Sequence, residues 1–310
     1  MKTVETVLGP AETEKLGFSL LHEHILSSGA AMRDGKPDPH GKAALSRVRL
    51  ALMQLKHNYV KTVVDATPVD FGRDPARLIA LAEATGLNII ASTGFYNAPD
   101  SLCDTPDVER YTDFLVGELT EGMSGTKARA GVIRAAADAR GFDGARVRLH
   151  RAAAAASRAA GAPIFLHTDR QMRYTARQLD CLAAEGADLN RVKVDHCLDA
   201  EETAPLLRLA ERGVWLGIDR FFADHDRRTK QIYDLIKLGL ADRMLLAHDF
   251  CGVSPFDPPL QTGVYAQDAN VYGWLYTKYC LFQELSNMGI DEGLLYRIAI
   301  DNPKRFFDGC

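Results

Sequence analysis

Phe18-Ser-Leu-Leu-His22-Glu-His24, Pro163-Ile-Phe-Leu-His167, Val192-Lys-Val-Asp-His196 and Met244-Leu-Leu-Ala-His-Asp249 are four strand-like runs that each stop at a potential metal ligand. Side chains two apart on a strand share a face, so His22 and His24 can converge on one ion. A His-x-His pair occurs at many polar strand ends and says little alone. Three more ligand-type residues at the ends of three more strands say a good deal more, because a parallel barrel keeps its chemistry at the C-terminal ends of its strands.

Outward from these runs, four others end near Asp65 (Thr62-Val-Val-Asp), Thr93 (Asn88-Ile-Ile-Ala-Ser-Thr), Arg134 (Gly131-Val-Ile-Arg) and Asp219 (Trp215-Leu-Gly-Ile-Asp). Successive ends lie between 23 residues (219 less 196) and 41 residues (65 less 24) apart, the length a βαβ unit needs. Helix signals fill the gaps. Leu45, Val48, Leu52, Leu55 and Tyr59 recur at three-and-four spacing, the stripe of a helix lying on a sheet. Asp74-Pro75 supplies an N-cap and an N1 proline, and Gly86 a stop. Asp199 with Glu202 forms an acidic variant of the capping box, closed by Gly213. The basic stretch Arg140–Arg158 runs through Ala152–Ala156 and is expected as a solvated helix face.

Unbroken β-α alternation means a parallel α/β fold, either a closed eight-stranded barrel or an open doubly wound sheet. Ligand placement decides. An open sheet binds at one switch point between neighbouring strands, whereas ligand-type residues here end strands one, five, six and eight. Only a closed ring brings those ends round one axis, so the expectation is a (β/α)8 TIM barrel as a single domain over residues 1–310.

Net charge is −4, which leaves no electrostatic footprint for nucleic acid. No Gly-x-Gly-x-x-Gly or Walker motif follows a strand. The N-terminus lacks the apolar segment of a signal peptide and no run approaches a membrane span. The six cysteines (Cys103, Cys181, Cys197, Cys251, Cys280, Cys310) form no Cys-x-x-Cys pair. They are expected as reduced, mostly buried thiols of a cytoplasmic protein.

His22, His24, His167, His196 and Asp249 combine imidazole and carboxylate, a ligand set suited to zinc and related divalent ions. Water on such an ion has a pKa of about 7 and supplies hydroxide at neutral pH. Asp249 can ligate and also accept that water's proton. The other histidines (His40, His57, His150, His225, His248) are assigned to structure.

These motifs, with Val63-Val-Asp-Ala-Thr-Pro68, Thr93-Gly-Phe-Tyr96, Arg129-Ala-Gly-Val-Ile133, His167-Thr168, Gly217-Ile-Asp-Arg220, His248-Asp249 and Asp301-Asn-Pro-Lys-Arg-Phe306, resemble the phosphotriesterase family of the amidohydrolase superfamily over nearly the whole chain. The resemblance implies a barrel hydrolase with a metal centre and a homodimer. It assigns His22, His24 and Asp249 to the more buried ion, and His167 and His196 to the more exposed one. Strand four departs from the family pattern. Similar members carry a carbamylated lysine that bridges two ions, others a glutamate one position later; here Arg134 and Ala135 stand at those places. A guanidinium has no acceptor lone pair and cannot form that bridge.

Three arrangements follow. One ion is held and Arg134 occupies or guards the second position, or two ions persist with Arg134 turned away, or Arg134 faces the helices. The single ion is favoured, with His196 as acid/base or substrate-orienting group and Arg134 polarising a carbonyl or binding a substrate carboxylate. Tyr96 stands where lactone-hydrolysing relatives keep a tyrosine near the ring oxygen, Arg220 matches the Asp-Arg dipeptide that ends strand seven, and both are expected to bind substrate. The loop Phe250–Gly263 is expected to wall the pocket. The expected activity on a small-molecule substrate is hydrolysis of a lactone, ester or amide, with phosphotriester turnover as a side reaction. The alternative is a catalytically weakened ligand-binding barrel that has lost the two-metal bridge.

Overall fold

A computed structural model describes residues 1–27, 41–97, 107–252 and 272–309. His40, Cys103, Cys310 and the part of the Phe250–Gly263 loop beyond Gly252 lie outside the described residues. The chain opens with an antiparallel hairpin, β1 (Thr3–Thr6) and β2 (Gly9–Glu12), which the strand count above does not include. Eight parallel strands follow: β3 (Phe18–Glu23), β4 (Val60–Asp65), β5 (Asn88–Gly94), β6 (Val132–Ala136), β7 (Ile164–His167), β8 (Val192–Val194), β9 (Trp215–Ile218) and β10 (Met244–Leu246). They pair in sequence order, as right-handed βαβ crossovers dictate. The intervening helices are α1 (Lys42–His57), α2 (Pro75–Thr85), α3 (Val108–Thr120), α4 (Gly144–Ala160), α5 (Thr175–Ala184), α6 (Ala204–Glu211) and α7 (His225–Lys237), and α8 (Phe282–Asn287) and α9 (Glu292–Asp308) complete the described chain.

The ring closes just beyond β10. Asp249 N donates to His22 O (2.9 Å), His24 N to Phe250 O (3.0 Å) and Gly252 N to His24 O (2.8 Å). Glu23 reinforces this seam: its Oε1 accepts from His248 N (2.8 Å) and faces His248 Nδ1 (2.8 Å), and its Oε2 accepts from Phe250 N (3.1 Å). The architecture is the expected (β/α)8 barrel.

Alternation along the strands separates two apolar layers. Leu20, Val63, Ile89, Ile133, Leu166, Val194, Leu216 and Leu246 belong to the larger cluster with the helices, while Leu21, Val64, Ile90, Val132, Phe165, Trp215 and Leu245 form the interior with Val4, Leu16 and Phe306. On β8 the corresponding inward position is Lys193, fully buried. Its ammonium stands 4.2 Å from the Phe165 ring centroid and donates to Leu21 O (3.1 Å) and to Asp195.

Local signals held where they were self-contained. Asp74 caps α2 by accepting from Arg77 N (3.0 Å), and Gly86 ends it in a left-handed turn. Three expectations need correction. Tyr59 lies outside α1, at φ +66° and 79 % exposed, so the buried stripe ends at Leu55. Asp199 caps no helix: α6 starts at Ala204 after Thr203, and Asp199 instead accepts from Arg220 and Arg228. The alanines of α4 are no solvated face, because Ala152, Ala153, Ala154 and Ala156 are buried; small side chains let α4 approach its neighbours α3 and α5 while Arg151 and Arg158 remain outside. Of the four described cysteines, only Cys197 is fully buried. No described helix is long and apolar enough to cross a membrane.

Candidate active site

β8, β9 and β10 stop short of His196, Arg220 and Asp249, and the chain turns at each residue with φ of +60°, +56° and +54°. Left-handed backbone at a side-chain-bearing residue costs about 1–2 kcal/mol and is concentrated where function needs it. The turn breaks the alternation: Asp195 already faces inward, so a regular strand would send His196 out among the helices. Each turn is held by the next strand. His196 N donates to Asp219 Oδ2 (3.1 Å), Arg220 N to His248 O (3.2 Å) and Asp249 N to His22 O (2.9 Å).

One set of candidate ligands is assembled across the seam. His22 Nε2 and His24 Nε2 lie 3.4 and 3.1 Å from the same oxygen, Asp249 Oδ1. His24 Nδ1 is 2.9 Å from Thr67 Oγ1, which donates to Asp65 Oδ1 at 2.7 Å. That relay leaves the proton on Nδ1 and the Nε2 lone pair facing Asp249. His22 is fully buried, yet neither ring nitrogen has a hydrogen bond. Buried polar atoms without partners call for a bound group, and the ligand atoms of His22, His24 and Asp249 all lie within 4.8 Å of one another. These three residues fit a divalent ion. His22, His196 and Asp219 form a second group of the same span.

The other histidine pair is arranged differently. His167 Nδ1 and His196 Nε2 stand 2.7 Å apart, so a proton or a cation is shared between them. Arg134 places its NH2 group 3.3 Å from the first, and Arg220 its NH2 group 3.3 Å from the second. Arg134 is therefore inward and buried, which removes the helix-facing alternative; β5 passes so close that a Cβ on Gly94 would meet Arg134 O at 2.1 Å. Its NH1 group pairs with Asp195, which also holds Lys193 and faces His22 Nδ1 at 3.2 Å. Arg220 Nε donates to Asp249 Oδ2 (2.6 Å) and its NH1 group to Asp199 (2.8 Å).

Charges follow from these contacts. Burial works against ionised Asp249, but Arg220 and His22 outweigh it and hold the carboxyl well below the usual range. Burial likewise opposes ionised Asp195, and His22, Lys193 and Arg134 overcome it. His22 is raised: burial lowers it, but Asp195 and Asp249 prevail over burial and Arg134. His167 is pushed well below its ordinary value by burial, then by His196 and Arg134, and His196 is lowered by burial and Arg220. Both imidazoles are neutral at neutral pH. Tyr96 O–H lies 3.2 Å from His167 Nε2, and burial raises its pKa, so it stays a phenol. Above these groups opens a cavity of about 760 Å³, lined in part by His24, Tyr96, His167, His196, Arg220 and Asp249.

The model of the Phosphotriesterase family matches residues 2–307. This chain belongs to the phosphotriesterase family. It is similar to the phosphotriesterase homology protein of Mycobacterium tuberculosis (31 % identical, covering 99 % of this chain and 98 % of the relative). It is also similar to the aryldialkylphosphatase of Saccharolobus solfataricus (28 %, covering 96 % of each) and to the N-acetyltaurine hydrolase of Homo sapiens (26 %, covering 98 % of this chain and 97 % of the relative). The latter two are hydrolases, and family members are metal-dependent.

All eight residues picked from the sequence gather at this one end of the phosphotriesterase-family barrel, with His22 beneath the cavity floor. Asp195, Lys193, Asp219, Thr67 and Asp199 were passed over. Val192-Lys-Val-Asp carried a usable signal, because Lys193 and Asp195 alternate with buried valines and so share the inward face.

Proposed function

We propose that this chain is a metal-dependent hydrolase with a one-ion centre, acting on a carboxylic ester, lactone or amide. His22, His24 and Asp249 would hold the ion, and their nitrogen and oxygen donors suit zinc. The observation that carries this reading is the pair of guanidinium groups, Arg134 and Arg220, each 3.3 Å from a histidine nitrogen that a second ion would need. A further cation there would meet two fixed positive charges and no bridging carboxylate.

A divalent ion at the first position would supply Lewis acidity toward water and toward the substrate oxygen. The protein supplies the rest. Asp249 offers Oδ1 to the ligand set while Arg220 holds Oδ2, which makes this carboxylate a poor proton acceptor. His196 fits that task. Its Nδ1 donates to Asp219 Oδ1 at 3.0 Å, which fixes the tautomer and leaves the Nε2 lone pair, 2.7 Å from His167 Nδ1, as the neutral base. Tyr96, as a phenol, can donate to the leaving oxygen or nitrogen. Arg134 orients His167 and adds positive charge near a developing oxyanion. Phosphotriester turnover would use the same groups and is expected as a side reaction.

The test is metal content measured together with turnover. Inductively coupled plasma analysis of the metal-saturated, desalted protein should give about one ion per chain, the stoichiometry of a one-metal site. A panel of lactones, esters, acetamides and phosphotriesters should show hydrolysis that a chelator removes. Two tightly held ions would overturn the one-ion centre. A loaded protein that turns over nothing in the panel would leave a ligand-binding barrel.

A further inference from the structure

Tyr96 is the proton donor of the cavity whose aim no strand sets. β5 ends at Gly94, where φ is +102°, so the alternation that directs strand side chains stops before the phenol. Its direction comes from the loop after β4. Asp70 Oδ1 accepts from Tyr96 N (2.8 Å), and Oδ2 accepts from Asn97 N (2.8 Å) and Asn97 Nδ2 (3.1 Å). One carboxylate thus takes two consecutive backbone N–H groups, and charge-assisted bonds of this kind are about twice as strong as neutral ones. The next residue, Phe71, lays its ring against Tyr96, with centroids 5.0 Å apart at 57°. From the loop after β6, Arg140 donates to Asn97 Oδ1 and is itself held by Asp138, its Nε 2.8 Å from Oδ2. The far end of the phenol meets His167: O–H lies 3.2 Å from Nε2, and the rings cross at 67°. Phe71, Tyr96, Asp138 and His167 line the cavity, and Asp70 is not part of that lining.

We propose that Asp70 is the positioning residue of the leaving-group donor. Its carboxylate fixes the backbone at 96–97 so that the Tyr96 phenol stands beside His167 and reaches the departing atom. This deepens the hydrolase reading and rests on it for the reaction. The C–O or C–N bond breaks as the leaving atom takes the phenol proton. Bulk water then returns a proton to the phenolate, while His196 releases the one taken from the attacking water. A donor misplaced by about 1 Å can lose on the order of 10² in rate, and the loss falls on substrates whose leaving group cannot depart as an anion. Asp70 therefore decides how basic a leaving group the site can expel.

The readout is a ratio within one preparation of zinc-loaded protein: kcat for benzyl acetate over kcat for p-nitrophenyl acetate, whose nitrophenolate leaves without a proton. N-benzylacetamide over p-nitroacetanilide serves in the same way if amides are preferred. Unfolded or unloaded molecules cancel from the ratio. Tyr96→Phe should lower it about 10²-fold or more, and Asp70→Asn and Asp70→Ala should each lower it about tenfold or more. Adding Asp70→Asn to Tyr96→Phe should lower it no further, since both changes act on one donor. Without metal or substrate, amide exchange at Tyr96 and Asn97, followed by NMR, should run about tenfold or more faster in Asp70→Asn than in wild type. A ratio left at its wild-type value by both Asp70 variants would overturn the proposal and leave the hydrolase reading intact. So would a full further loss from Asp70→Asn in the Tyr96→Phe background, or amide exchange that Asp70→Asn does not change. A ratio that Tyr96→Phe does not move would overturn it too, because no donor would be there to position. If the protein turns over no member of the panel above, the hydrolase reading and the positioning role fall together.

Discussion

Asp195 lies between three groups: the Arg134 guanidinium and the Lys193 ammonium, whose only carboxylate partner among the described residues it is, and His22 Nδ1 at 3.2 Å. Replacing it by asparagine removes one negative charge and leaves two buried cations. Asp195→Asn should therefore lower unfolding free energy by about 3–5 kcal/mol in urea titration, and a loss below about 1 kcal/mol would show that water reaches these cations. The same change frees His22, so zinc affinity measured against a competing chelator should fall about 10- to 100-fold. Two further substitutions separate ligand from base. Asp249→Asn should lose the ion and with it turnover, whereas His196→Asn should keep about one ion, as at other one-metal sites, and lose roughly 10²–10⁴ in kcat. Loss of metal from both variants would move His196 into the ligand set. The identities of these residues were legible because each ligand type is a local fact of the sequence. The inward direction of Arg134 was not, since a shift of one residue in strand register reverses it.

At the scale of elements, α4 and α5 reach into the site through two side chains the motifs do not include. Gln178 on α5 sits 3.0 Å from His150 Nε2 and donates to His167 O at 3.1 Å, while His150 Nδ1 faces Arg146 O at 2.8 Å. His150 thus donates through Nδ1 and accepts through Nε2, which only the neutral ring can do. Burial pushes its pKa down to about 4 from an ordinary 6.5. Between pH 6.5 and about 4 the unfolded chain takes up a proton that the folded chain refuses, so stability falls as pH falls through that window. The loss should reach at most about 3 kcal/mol. His150→Asn should flatten this part of a plot of urea midpoint against pH, and an unchanged slope would assign the acid sensitivity to other groups. Helix α2 was readable from Asp74-Pro75 and Gly86 because caps are short-range chemistry. Asp199 was misread for the complementary reason: its cap pattern is local, but two arginines, Arg220 just beyond β9 and Arg228 on α7, compete for its carboxylate and win, since a buried guanidinium must be matched.

Over the whole molecule, strand one and the chain beyond strand eight are joined by backbone hydrogen bonds that flank the ligand set, and Glu23 clasps the outer side of that seam. An ion held by His22, His24 and Asp249 would tie both sides of it. Removing metal should lower Tm by several degrees, since a ligand at 100 times its Kd adds about 2.7 kcal/mol, and deuterium exchange should rise first in residues 22–25 and 249–252. A Tm indifferent to chelator would place the ion elsewhere or nowhere. The eight-strand order and the placing of His22, His24, His167, His196 and Asp249 at strand ends follow from period-two and period-three-and-four patterns, which each segment carries within itself. The ion pairs follow from no such pattern. Arg134 meets Asp195 across 61 positions of chain, and Lys193 meets Leu21 O across 172. Closing the barrel brings those positions together, and the left-handed turns at His196, Arg220 and Asp249 then choose which side chains face the axis. Residue chemistry and spacing were thus enough for the fold and for gathering these side chains at one end of it, while the charge pattern around them was decided only by tertiary structure, because buried charges choose partners by proximity in space.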